Sequence, residues 1–65
     1  VTIILNGESR ELAAGTTLAA LIETLKISGR LAAECNGEIV PRSAHATTVL
    51  VDGDRVEIVR AIGGG

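Results

Sequence analysis

Gly15-Thr16-Thr17-Leu18-Ala19-Ala20-Leu21-Ile22-Glu23-Thr24-Leu25 carries Leu18, Leu21, Ile22 and Leu25 at positions i, i+3, i+4 and i+7, the spacing of one helical face. Gly15 breaks the pattern before it, and a threonine offers the side-chain oxygen that caps a helix start. After Lys26 and Ile27, Ser28-Gly29 supplies a stop, because glycine readily takes the left-handed conformation that closes a helix. A helix with one apolar stripe needs a surface to lie on, and the flanking sequence provides strands. Upstream, Val1-Thr2-Ile3-Ile4-Leu5 is apolar and largely β-branched. Asn6-Gly7 follows, a strong hairpin signal, so residues 8–13 are expected to pair back on the first strand.

Downstream, Leu31-Ala32-Ala33-Glu34-Cys35 alternates so that Leu31, Ala33 and Cys35 share a face. Asn36-Gly37 turns the chain into Glu38-Ile39-Val40, which Pro41 ends because it cannot donate to a ladder. Val49-Leu50-Val51 leads into the turn Asp52-Gly53-Asp54, and residues 55–62 form the last strand. There Val56, Ile58 and Ile62 fall on one face and Arg55, Glu57, Val59 and Ala61 on the other. The order is strand, strand, helix, then several strands: an α+β domain with one amphipathic helix across a mixed sheet.

Size and composition narrow the possibilities. A chain of 65 residues buries only about 60% of its unfolded surface, so one helix on one small sheet is the ceiling. With no Phe, Tyr, Trp or Met, the core is built from Leu, Ile, Val and Ala, and aromatic stacking on bases is excluded. Eight acidic residues against six basic ones remove the electrostatic case for nucleic acid. Cys35 is the lone cysteine, so no internal disulfide forms and a reducing compartment is expected. No apolar run reaches membrane-spanning length, and Val1 onward lacks the pattern of a signal peptide. A cytoplasmic location with no membrane partner is the expectation.

The chain closes on Gly63-Gly64-Gly65, a poor strand end but a good thread for a narrow slot. Residues 1–62 are therefore read as the folded domain and 63–65 as a flexible tail whose α-carboxylate is the most distinctive chemical group. Among other candidates, Cys35 is assigned to the core face, where a thiol behaves as a small hydrophobe. His45 stands without Cys, Asp or a second His at ligand spacing, so it is read as a solvated loop residue, with no metal site. Val59 and Ala61, on the outward face beside the tail, and Arg42, after Pro41, are candidate docking residues for a partner.

Five pieces then fall in order: Asn6-Gly7-Glu8 after the first strand; Gly15-Thr16-Thr17-Leu18 opening the helix; Asn36-Gly37-Glu38-Ile39-Val40-Pro41-Arg42; Asp52-Gly53-Asp54-Arg55-Val56-Glu57-Ile58-Val59; and the closing Gly64-Gly65. In order and spacing they resemble the sulfur carrier proteins of thiamine biosynthesis, the ThiS family, over nearly the whole chain. The resemblance implies a ubiquitin-like β-grasp fold, with the helix across a four- or five-stranded mixed sheet and the first and last strands adjacent. It implies a covalent carrier, not an enzyme, with no bound cofactor. A ubiquitin-activating-type adenylyltransferase would use ATP to convert the Gly65 carboxylate to an acyl-adenylate. A persulfide donor would leave a thiocarboxylate on Gly65, and thiazole synthase would receive the sulfur. Gly63 and Gly64 would give reach and open access to the acyl carbon. A carrier for molybdopterin, cysteine synthesis or tRNA thiolation, and a non-covalent β-grasp interaction module, are the alternatives.

Overall fold

Strands β1 (Thr2–Leu5) and β2 (Glu8–Glu11) form an antiparallel hairpin in register Thr2↔Glu11 to Leu5↔Glu8. The architecture is that of a computed structural model that describes residues 1–27 and 29–60. At the hairpin turn Asn6 (φ 48°) and Gly7 (φ 84°) are both left-handed, the requirement of the tight turn that matches strand twist. The second strand is shorter than the expected 8–13. The backbone N–H and hydroxyl of Thr16 both donate to the Ala13 carbonyl, at 3.2 and 2.6 Å, which commits Ala13 to the turn into the helix.

Helix α1 (Leu18–Thr24) starts as its sequence dictates, with the Thr17 hydroxyl accepting from the Ala20 N–H at 3.1 Å. It ends before the expected Ser28-Gly29 stop. Lys26 adopts the left-handed conformation (φ 54°), and the Leu25 and Lys26 N–H groups close back on Ile22 and Glu23, at 3.1 and 3.2 Å. Ser28 lies outside the described residues. Leu18 and Leu21 are buried, while Ile22 and Leu25 border the core half-buried.

Strands β3 (Leu31–Cys35), β4 (Glu38–Val40) and β5 (Arg55–Arg60) complete a five-stranded sheet in the order β2-β1-β5-β3-β4. β1 and β5 are parallel, and every other neighbouring pair is antiparallel. First and last strands are thus adjacent, and with one helix on a mixed sheet this is the expected β-grasp. Residues 61–62, read as the end of the last strand, lie outside the described residues.

Val49-Leu50-Val51 forms no strand. A single bridge joins Val49 to Thr17, and the Leu18 N–H to Thr48 carbonyl (2.8 Å) and Leu50 N–H to Thr16 carbonyl (2.9 Å) bonds tie the loop to the helix start. Leu50 thereby joins Ile3, Leu5, Leu18, Leu21, Ala33, Val56 and Ile58 in the buried core. Fully burying such side chains stabilises a fold by about 1.5–3 kcal/mol each for the larger ones. Among the described residues no helix is long and apolar enough to cross a membrane.

Candidate functional site

The last strand leads to the glycine tail, so the site is built on β5. Its pairing with β3 extends from Cys35↔Val56 to Leu31↔Arg60. On its other side β1 supplies only Ile4↔Arg55 and Leu5↔Val56 before turning away. Asn6 continues where that strand stops. Its N–H donates to the Val56 carbonyl at 2.9 Å, its Oδ1 accepts from the Ile58 N–H at 2.9 Å, and its Nδ2 donates to the Ile58 carbonyl at 3.3 Å. One carboxamide thus satisfies the donor and the acceptor of a residue that has run past its strand partner.

Asn36 grips the start of the same strand. Its N–H donates to the Arg55 carbonyl (2.7 Å), its Oδ1 accepts from the Arg55 N–H (2.9 Å), and its Nδ2 donates to Asp54 Oδ1 (3.0 Å). Both asparagines read in sequence as turn residues and nothing more. An Asn-Gly pair signals a hairpin whether or not its side chain reaches a third strand.

Register decides what surrounds the strand end. Val59 stands opposite Ala32 on the face away from the helix and is 61% exposed. Arg42 is exposed at the start of a short 3-10 helix, Arg42–Ala44, set by Pro41. Two of the three predicted docking residues, Val59 and Arg42, meet in one groove of about 520 Å³, lined by Arg30, Leu31, Ala32, Arg42, Val59 and Arg60. A second cavity of about 260 Å³ lies on the helix side of Arg42, between Ala19, Ile22 and His45. Ala61, Gly63, Gly64 and Gly65 lie outside the described residues.

The model of the ThiS family matches residues 3–65. The chain belongs to the ThiS family. The crystal structure of the thiamine biosynthesis protein ThiS from Geobacter metallireducens superposes with a TM-score of 0.84 at 30% identity, covering all of both chains. The solution structure of a thiamine biosynthesis protein from the same organism gives 0.82 at 30% identity, covering all of this chain and 88% of that one. The thiazole synthases of Paramagnetospirillum magneticum and Magnetococcus marinus are 45% and 41% identical over 64 residues, 97% of this chain. The chain spans about a fifth of the length of these curated relatives.

Within this ThiS-family fold two candidate residues take different places from those their sequence context suggested, or fill them differently. His45 is not a solvated loop residue. It is half-buried, its Nε2 lies 3.0 Å from the Val40 carbonyl, and its own carbonyl accepts from the Ala19 N–H at 2.9 Å, so it ties the loop after Pro41 to the helix. Among the described residues no group of three His, Cys, Asp or Glu is placed to hold a metal ion.

Cys35 does face the helix side, but half-buried at the rim of the core. It pairs with Val56, four residues before Arg60 along β5, a separation of about 13 Å along the strand. Burial pushes its thiol above the ordinary 9.0, and the nearby Asp54 and Glu38 carboxylates add to the shift. At neutral pH it is a protonated thiol, a weak nucleophile.

Proposed function

We propose that this ThiS-family chain is a sulfur carrier for thiamine thiazole synthesis, a protein substrate of partner enzymes that works through the carboxylate of Gly65. Residues 63–65 serve as a tail that threads into a partner's active site, with the folded domain as the handle. An adenylyltransferase of the ubiquitin-activating type joins the Gly65 carboxylate to AMP, releasing pyrophosphate. A carboxylate is a poor electrophile, and adenylation gives it a leaving group. The terminal sulfur of a persulfide then attacks the acyl carbon and AMP departs. A thiol cleaves the resulting S–S bond, leaving the thiocarboxylate for thiazole synthase.

The observation that carries this reading is the match of the ThiS family from residue 3 through Gly65, which takes in the glycines as well as the fold. The thiazole synthase relatives, about five times as long, favour a second reading. There the same domain is one part of a longer polypeptide and docks on a synthase to which it is joined.

Two variants separate these readings. In the carrier mechanism, deleting Gly65 or appending residues after it abolishes pyrophosphate release while the melting curve stays that of the unaltered chain. A docking domain tolerates the extension. Normal adenylation of the Gly65 deletion would end the carboxylate mechanism.

A further inference from the structure

The groove at the end of β5 runs against the charge of the whole molecule. The chain is acidic overall, yet Arg30, Arg42 and Arg60 place half of its six basic residues in one lining that, among the described residues, contains no carboxylate. Toward the start of β5 the charges are mixed, with Arg55 beside Glu34 and Glu57. Glu34 and Glu57 stand opposite each other, two residues along from the Ala32↔Val59 pair. Asp54 lies beyond them, beside Asn36. Between the arginines the floor is apolar, made by Leu31, Ala32 and the exposed Val59.

Resting on the carrier reading, we propose that this groove docks an acidic, apolar-centred patch on the adenylating partner, at the mouth of the slot that receives the tail. A tail that runs extended into a narrow slot would carry a nucleotide joined to Gly65, five positions past Arg60, up to roughly 17 Å from the groove. The floor also favours a protein surface, since polyphosphate would gain nothing from Leu31, Ala32 and Val59. Carboxylates suit the rim, because a guanidinium holds a carboxylate through two parallel hydrogen bonds. With three arginines lining the groove at the end of β5, the domain also presents that end to an acidic mouth.

The test uses the full chain and the adenylyltransferase of the same organism. Binding is measured by calorimetry without ATP, and adenylation by pyrophosphate release with it. The variant R30E/R42E is compared with R10E/K26E, which changes net charge equally on exposed residues outside the groove, and melting curves confirm that both fold. R30E/R42E should weaken binding and raise KM about tenfold at low salt with kcat unchanged, and should flatten the salt dependence. R10E/K26E should stay within about twofold of the original. Equal losses in the two variants, or an unchanged KM in R30E/R42E, would overturn the groove while leaving the carrier reading intact. Binding that R30E/R42E weakens, without any adenylation of the original chain, would support the groove and overturn the carrier reading. Absence of both binding and adenylation would overturn both.

Discussion

Asn6 combines a left-handed backbone with a side chain that fits the backbone of Ile58, and few residues can do both. Replacing it by Asp keeps the size and the acceptor but removes the donor and sets a carboxylate against the Ile58 carbonyl. Asn6→Asp should cost about 1–3 kcal/mol, with faster amide exchange in Ile58 and its neighbours than in β2. An unchanged exchange pattern would mean that β3 alone holds the strand end.

Cys35 calls for the opposite outcome. Cys35→Ala should fold within about 1 kcal/mol of the original and form thiocarboxylate normally, since its thiol is protonated and stands at the wrong end of β5. Cys35→Ser should behave similarly, because the site is half-buried and has the Asn36 amide beside it, 3.7 Å from the sulfur. The raised thiol pKa also fixes a pH dependence. Above the unfolded value the unfolded chain binds fewer protons than the folded one. The stabilising contribution is therefore complete below about pH 9 and is lost as pH rises through the folded value. Alkylation at pH 8 slower than that of free cysteine, with Cys35→Ala insensitive between pH 8 and 10, would bear this out.

Helix α1 shows which features of an element are written in its residues. Its start and buried face follow from Thr17 and from the spacing of Leu18 and Leu21. Leu21→Ala should cost about 2–5 kcal/mol in a denaturant titration, and Leu25→Ala, at the half-buried edge, no more than about 2 kcal/mol. Equal costs would place Leu25 in the core proper. The helix end was not legible, because Lys26 in a left-handed conformation has no sequence mark of the kind Gly29 carries. The Asn-Gly hairpins and the alternation in β3 and β5 were legible from turn chemistry and period. The loop through His45 and Leu50 was not, since its bonds to residues 16–19 are set by the packed fold. The candidate site divides in the same way. Val59 and Arg42 could each be singled out, but their meeting with Arg30 and Arg60 depends on the register of β3 against β5.

At the scale of the molecule, the sheet order places the tail-bearing strand between β1 and β3, gripped by Asn36 at its start and Asn6 toward its end. Among the described residues the core is built from β1, α1, β3, β5 and Leu50, all before the tail, so stability and reactivity should separate. Removing Gly63, Gly64 and Gly65 together should leave the melting temperature unchanged and abolish activation. Such a separation is expected of a carrier whose chemistry resides at its end. The most direct measurement is the intact mass of the chain after incubation with the adenylyltransferase, ATP and a persulfide donor, followed by fragmentation to locate the change. The carrier account predicts a gain equal to one oxygen exchanged for one sulfur, confined to the fragment ending in Gly65 and lost on transfer to thiazole synthase. Sulfur found on Cys35, or no gain in a chain whose Gly65 carboxylate is free, would contradict it.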